Sequence, residues 1–232
     1  MAETTDGNVI TVPLSPLRQI IARRMVETNN EIPHFRVTLG LHADALIAWR
    51  AAYNREHADQ RVSLNDCLIK ACALALAKTP DMNIQFVDEV IHQYEEADIA
   101  VVMAVEGGLV TPIVRNAGAK DLATIASETT DFAARGKTGR LKISEMTGGT
   151  LSISNLGMFN VDQFDAIINP PQCAIVAFGA AKPTPIIKDG AVTVATIINA
   201  TVSVDHRTLD GVVGAKFLNA LQEVVSAPEL LA

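Results

Sequence analysis

Apolar positions along this chain follow two periods, and each period predicts a different kind of element. In HFRVTLGLH, residues 34–42, apolar and polar positions alternate as they do in a half-buried β-strand. Other segments are short, rich in β-branched residues and bounded by glycine, which favours buried strands. We therefore predict strands at residues 34–42, 98–105, 109–114 and 173–179, a short strand within 147–157 and a strand pair within 184–204.

Helical periodicity marks the remaining long segments. The segment SPLRQIIARRMVETNN begins with Ser15 as a candidate N-cap and Pro16 at the first helical position. Residues 62–80 are apolar nearly all round, which predicts a buried helix with Ser63 as its N-cap. The predicted helices are one from Pro16 that ends before Pro33, and those at 43–58, 62–80, 121–137 and 211–226.

Two glycine turns place hairpins among these elements. Glu106-Gly107-Gly108 joins two predicted strands, and Asp189-Gly190 divides the last strand pair. A purely parallel, doubly wound sheet is therefore disfavoured, and an α/β fold, a two-layer sandwich with a mixed sheet, fits better. We expect one compact domain over residues 13–232, after a flexible N-terminal lead at residues 1–12.

Composition narrows the classes of function. Of the 232 residues, 49% are hydrophobic and 19% charged, which suits a globular protein with a sizeable core. The net charge is -7 and no basic stripe occurs, so nucleic-acid binding is disfavoured. No uncharged run approaches the roughly 18 to 20 residues that span a bilayer, and the polar first ten residues do not resemble a signal peptide. We expect a cytoplasmic protein without a membrane partner.

Cysteine and histidine usage gives no sign of disulfide or metal chemistry. Cys67, Cys72 and Cys173 each lie in an apolar stretch, and no CxxC spacing occurs. Buried thiols in a reducing compartment fit this pattern. The five histidines form no HxxxH or HExxH pair, so we expect no metal.

The stretch SVDHRTLDG, residues 203–211, places ionisable side chains between a β-branched run and an apolar helix. His206 precedes Asp210 by four positions, which brings both onto one face if a helical turn begins here. Histidine suits general-base chemistry near neutral pH, and the carboxylate could orient it, stabilise its charged form or anchor the loop through an arginine. A capped helix start, with Asp205 as N-cap and Asp210 in solvent, explains the same residues.

A second candidate lies in GGTLSISNLG, residues 148–157. Ser152 and Ser154 alternate with apolar residues, and the flanking glycines allow another backbone to approach closely. A hydroxyl at a strand end could donate to a developing oxyanion, but small polar residues on a solvated strand face fit equally well. No GxSxG elbow surrounds either serine, which disfavours a nucleophile.

DHRTLDG resembles the DHRxxDG signature of dihydrolipoyl acyltransferases, the catalytic cores of 2-oxo acid dehydrogenase complexes. These cores share a fold with chloramphenicol acetyltransferase. Other blocks resemble the family in the same order across about residues 13–232: LSPLRQIIARRM with IPHF, SLNDCLIKACALAL, GGLVTPIVRNA, GGTLSISNLGMF, NPPQCAIVAFG and the final PELLA. The resemblance implies a chloramphenicol acetyltransferase-like fold and acyl transfer, with acetyl as the expected group, between coenzyme A and dihydrolipoamide.

The resemblance also implies roles for single residues. His206 falls on the catalytic base, Ser154 on the serine that donates to the oxyanion, and Asp210 on a position that pairs with an arginine. The positions that line the coenzyme A site are Arg50, Ser63, Asn155 and Gly179. Arg50 and Ser63 are equally explained as a solvated helix arginine and an N-cap. Neither a covalent acyl-enzyme nor a metal is implied.

By the same resemblance the partners are a homotrimer, a lipoyl domain and other components of a 2-oxo acid dehydrogenase complex. His206 and Ser154 would then come from neighbouring chains. The apolar tail, with Leu230 and Leu231, could join trimers into a cubic or icosahedral assembly. Lys70 lies in a buried-helix pattern, so we expect the lipoyl group on a separate domain or chain. In a eukaryote the compartment would be the mitochondrial matrix.

Two other functions stay open. A related coenzyme A-dependent acyltransferase could use a different acceptor, either a small molecule or a carrier-bound thiol. A non-catalytic assembly core is the other alternative, and it predicts loss of the base or of the serine. His206 and Ser154 are both present.

Overall fold

The computed structural model describes Glu3–Thr4 and residues 9–232. The expected flexible lead, residues 1–12, lies partly outside these described residues. Its described part is a short antiparallel pair formed by β1 (Glu3–Thr4) and β2 (Ile10–Thr11).

The helices lie where the periodicity predicts them, and local caps explain where two of them begin. Ser15 accepts a hydrogen bond from the amide of Arg18 at 3.2 Å, and Ser63 forms a capping box with Asp66. The α-helices of the described residues are α1 (Pro16–Glu31), α2 (Asp44–Glu56), α3 (Leu64–Lys78), α4 (Leu122–Lys137) and α5 (Gly211–Ser226).

One mixed sheet holds most of the strands, as predicted. The strands after β2 are β3 (His34–His42), β4 (Ile84–Val87), β5 (Val90–Gln93), β6 (Ile99–Val101), β7 (Met103–Val105), β8 (Gly108–Val110), β9 (Ile113–Val114), β10 (Leu151–Asn155), β11 (Ala174–Phe178), β12 (Lys182–Lys188) and β13 (Ala191–Asp205). The sheet has the order β12-β13-β11-β10-β6-β9, and β3 pairs with the other side of β13. β10 is parallel to β11 and β6, whereas the remaining pairs are antiparallel.

The first face of the sheet carries the hydrophobic core. Ile153, Val176 and Val202 lie opposite one another on three neighbouring strands. They belong to one buried cluster with side chains of α3 and α5, two helices that also pack against each other. Burial of this apolar surface is the main favourable contribution to folding.

The second face of the sheet is more polar. Ser152, Ile175 and Ser203 lie side by side on neighbouring strands, and both serines are fully buried. Ile175 packs in a small cluster with Ile32 and Ile168. The segment between β10 and β11, which contains Ile168, therefore covers part of this face.

Two local features differ from the prediction. The sequence does not predict the β4–β5 hairpin, whose turn holds Asp88 and Glu89 at φ of 50° and 63°. Glycine or asparagine usually supplies that left-handed conformation, so the usual turn signal is missing. Two predicted strands are also interrupted: the one at 98–105 at Val102, between β6 and β7, and the one at 109–114 at Thr111 and Pro112, between β8 and β9.

The two buried serines of the second face provide a matched stability test. Ser152 donates to the side-chain oxygen of Gln172, whereas the Ser203 hydroxyl has no hydrogen-bond partner within the described residues. We expect Ser152→Ala to lower the free energy of unfolding by about 1–3 kcal/mol, because it leaves a buried oxygen unpaired. Ser203→Ala should leave stability unchanged or raise it. Urea denaturation measures both, and equal losses would contradict this assignment.

Candidate active site

His206 stands at the surface on a backbone that is held in place. β13 ends at Asp205 and the chain turns at His206, whose amide donates to the carbonyl of Pro33 at 2.9 Å. The exposed imidazole rests edge-to-face on the ring of Phe35, with centroids 4.8 Å apart. The ring can therefore meet a ligand while its backbone stays fixed.

Asp210 caps the helix that follows. Its Oδ1 accepts from the amides of Val212 and Val213 at 2.8 and 3.0 Å. The helix begins at Gly211, after both residues, so it does not place His206 and Asp210 on one helical face. The alternative with Asp205 as N-cap is wrong, because that residue still belongs to β13. A cap of the kind that Asp210 provides stabilises a helix by about 0.5–2 kcal/mol.

Ser154 lies on the second, polar face of the sheet. It occupies the fourth position of β10, opposite Ala177 of β11. The side chain is half-buried, and its hydroxyl makes no hydrogen bond to the described residues. Because side chains alternate along a strand, Ser154 points away from the core that receives Ile153. Its hydroxyl is free to donate to a ligand.

The strand register separates Ser154 from His206 within one chain. Ser154 lies two strands away from Thr201, through Ala177. Thr201 precedes Asp205 by four residues of β13, which is about 13 Å along a strand, and two strand spacings add about 10 Å across. The two side chains are too short to close that gap. A single chain therefore does not bring them into one site.

Asn155 joins β10 to the start of α3, where Ser63 lies. Its Nδ2 donates to Asn65 Oδ1 at 3.2 Å, and its Oδ1 accepts from the amide of Gly157 at 2.8 Å. Two of the predicted coenzyme positions, Asn155 and Ser63, are thus brought together. Asn65 is absent from the prediction; its place in the first turn after an N-cap is the only local signal for it.

Arg50 also faces the beginning of α3. Burial raises the pKa of the Cys67 thiol to about 12, the Asp66 carboxylate adds to the rise, and the Arg50 guanidinium opposes it. The Nε of Arg50 is buried and has no hydrogen-bond partner within the described residues. An unpaired guanidinium donor is suited to an anionic ligand such as a phosphate.

Ser63 and Gly179 have structural explanations within the chain. The Ser63 hydroxyl donates to Asp66 Oδ2 at 2.6 Å, which commits its only proton. At Gly179 a Cβ would overlap the carbonyl oxygen of Asp162. The absence of a side chain there lets the segment after β10 pack against the sheet.

Membrane-spanning helices and metal-binding clusters are both absent from the described residues. None of their helices combines the length and the apolar character needed to cross a membrane. Their His, Cys, Asp and Glu side chains form no group of three or more that could hold a metal ion.

Residues 6–232 match the family model for the 2-oxoacid dehydrogenases acyltransferase (catalytic domain). The chain belongs to this acyltransferase family. It is 44% identical over 227 residues to the dihydrolipoyllysine-residue acetyltransferase component of the pyruvate dehydrogenase complex of Zymomonas mobilis, covering 97% of this chain and 52% of that protein. The mitochondrial counterpart of Schizosaccharomyces pombe is 41% identical over 227 residues, with coverage of 96% and 47%. The acyltransferase chain thus spans about half the length of the curated relatives it matches.

Solved structures of related proteins superpose on this acyltransferase chain and identify its fold. A dihydrolipoamide acetyltransferase of Azotobacter vinelandii, studied for a serine, a histidine and an asparagine in its catalytic mechanism, superposes with a TM-score of 0.92 at 26% identity, covering 98% and 96% of the two chains. The cubic core of a pyruvate dehydrogenase multienzyme complex gives 0.92 at 25% identity with the same coverage. Chloramphenicol acetyltransferase, at 13% identity and a TM-score of 0.56 over 88% and 94%, shares the fold, as predicted.

The cysteines of the acyltransferase are buried free thiols, as predicted. Burial raises the pKa of all three, to about 12 for Cys67 and about 11 for Cys173. Thiols with such pKa values carry almost no thiolate at neutral pH, which argues against a nucleophilic role.

We expect the native protein to resist alkylation by iodoacetamide at pH 8, because neither thiolate nor access is provided. After unfolding in urea, all three cysteines should react. Mass spectrometry of the two samples counts the modified thiols, with the unfolded sample as the control. Rapid labelling of one cysteine in the native protein would show a reactive thiol that burial does not explain.

Proposed function

We propose that this chain transfers an acetyl group between coenzyme A and the thiol of dihydrolipoamide. The observation that carries the proposal is the spacing along the chain between a serine and a histidine. In the Azotobacter vinelandii protein the named serine precedes the named histidine by 52 positions, and Ser154 precedes His206 by the same number here. The curated relatives are named as dihydrolipoyllysine-residue acetyltransferases, which supports acetyl as the group and dihydrolipoamide as the acceptor.

His206 acts as the general base. A thiol with an ordinary pKa near 8.5 is mostly protonated at pH 7 and is a weak nucleophile. The neutral imidazole takes the thiol proton while the sulfur attacks the thioester carbonyl, and it returns that proton to the departing thiol. The transfer needs no covalent acyl-enzyme, because one thioester forms as the other breaks.

Ser154 stabilises the intermediate. Attack on the thioester gives a tetrahedral centre with a negatively charged oxygen. The Ser154 hydroxyl, which has no partner among the described residues, can donate to that oxygen. The loss of one such donor typically removes about 2.7–4 kcal/mol of transition-state stabilisation. The half-buried position of Ser154 limits competition from water.

Coenzyme A is assigned to the cluster at the start of α3. Arg50 supplies a donor without a partner among the described residues, and Asn155 is hydrogen-bonded to Asn65 in the first turn of α3. The proton of Ser63 is committed to Asp66, so Ser63 contributes by capping α3. Gly179 contributes by allowing the segment after β10 to approach the sheet.

The active site is proposed to lie between two chains of a homotrimer. The register keeps His206 and Ser154 of one chain apart, and a related structure is the core of a cubic assembly. Leu231 is fully buried in its own chain, so of the two tail leucines only Leu230, which is 48% exposed, is available for contacts between trimers.

The other expected partners follow from the relatives. Those relatives are named as components of the pyruvate dehydrogenase complex, whose other components are the proposed partners. A lipoyl group carried on a separate domain or chain is proposed as the acceptor. Lys70 is not that carrier, because it is buried and donates to the carbonyls of Gly118 and Lys120 at 2.7 and 2.6 Å. The proposed compartment is the cytoplasm, or the mitochondrial matrix in a eukaryote.

Replacement of the base tests the chemistry directly. We expect His206→Ala to lower kcat about 10²- to 10⁴-fold, because the thiol must then lose its proton to water. The assay is acetyl transfer from acetyl-CoA to dihydrolipoamide, and size-exclusion chromatography checks the oligomer. An intact oligomer with near-normal turnover would exclude His206 as the base.

A mixture of two inactive variants tests whether the site joins neighbouring chains. Ser154→Ala alone should lower kcat about 10²- to 10³-fold. When His206→Ala and Ser154→Ala chains are co-assembled in equal amounts, about one site in four receives both intact groups if they come from different chains. We therefore expect about a quarter of wild-type turnover. A site within one chain would leave the mixture as inactive as the single variants.

A further inference from the structure

The two residues that flank His206 have no part in the chemistry proposed above. Asp205 is 1% exposed, and every hydrogen bond to its carboxylate from the described residues comes from Arg207. The Arg207 Nε lies 3.0 Å from Oδ1 and 3.2 Å from Oδ2, and its Nη2 lies 2.7 Å from Oδ2. A buried carboxylate without such a partner is strongly unfavourable.

The same carboxylate closes a turn around His206. The backbone amide of Arg207 donates to Asp205 Oδ1 at 3.0 Å, which makes His206 the middle residue of an Asx turn. The carbonyl of Asp205 accepts from the amide of Leu209 at 2.9 Å. The peptides on both sides of His206 are thus fixed by bonds that leave the imidazole free.

Arg207 also contacts a distant strand. Its guanidinium carbon lies 5.0 Å from the centroid of the Phe86 ring on β4, within the range of a cation–π contact. The planar guanidinium is therefore held at its edge by Asp205 and at its face by Phe86. A lysine ammonium cannot make both contacts in this geometry.

Stability alone does not account for this arrangement. An apolar replacement of a buried ion pair is often neutral or stabilising. This pair joins two residues that are already adjacent to His206, so its direct effect falls on one turn of the chain. The turn is the one that carries the proposed base.

We propose that Arg207 is a positioning residue for His206. It neutralises and orients Asp205, and through the Asx turn it fixes the peptide from which the imidazole projects. A misplacement of about 1 Å can lower a rate about 10²-fold. This inference rests on the proposed function, in which His206 is the general base.

The test compares two arginines in the assembled full chain. Arg36 forms a surface ion pair with Asp165 at 3.3 Å, and its side chain is 39% exposed against 40% for Arg207. We expect Arg207→Met to lower kcat about 10²-fold, with KM for acetyl-CoA and dihydrolipoamide within about threefold of wild type. Arg36→Met, the matched control, should keep kcat near wild type. Thermal unfolding and size-exclusion chromatography accompany the kinetics.

A second variant removes the unpaired charge that Arg207→Met leaves behind. Asp205→Asn combined with Arg207→Met keeps the Oδ1 acceptor of the Asx turn and abolishes the buried carboxylate. A lower kcat at unchanged KM in this assembled double variant supports the proposal. A kcat equal to that of Arg36→Met overturns it, and so does failure of both Arg207 variants to assemble, which would assign the pair to folding. Normal turnover in His206→Ala would refute the proposed function instead.

Discussion

The pairing of β13 with β3 determines where the candidate base lies. Its register runs over nine residue pairs, from Ile197 opposite His42 to Asp205 opposite His34. Pairing therefore continues to the last residue of β13, and the amide of His206 extends it to the carbonyl of Pro33. A slip of one residue would turn every side chain of β13 to the other face of the sheet. Core packing and the geometry of the site are thus tied to one register.

Because side chains alternate along β10, this single strand contributes residues both to the hydrophobic core and to the candidate site. Ile153 enters the hydrophobic core, and Ser154, the next residue, lies on the opposite face. That face can hold polar groups because α3 and α5 contribute their apolar side chains to the core on the first face. Since strand spacing prevents Ser154 from reaching His206 of its own chain, the proposed site requires a second chain to lie against the polar face.

The sequence predicts what depends on neighbouring residues. Ser15 and Ser63 signal helix starts through local hydrogen bonds, and the family motifs locate His206 and Ser154. The spacing of His206 and Asp210 suggests a helical turn that begins at His206, whereas α5 begins five residues later, at Gly211, with Asp210 as its N-cap. The sequence supplies no signal for a contact whose partner lies far along the chain.

Arg207 and Phe86 illustrate that limit. They meet only because β4 and the end of β13 are brought together by the fold. The sequence also does not predict the β4–β5 hairpin that carries Phe86, since its turn uses Asp88 and Glu89 in place of glycine. Asn65 is a similar case, because its bond to Asn155 requires β10 to end at the start of α3.

The cap at the start of α5 explains which residues can stand at position 210. Both capping bonds use Oδ1 alone, and an asparagine carries the same oxygen in the same place. In the Azotobacter vinelandii protein the named asparagine follows the named histidine by the same four positions. The capping bonds therefore need an oxygen acceptor of this length, and they do not need a formal charge on it.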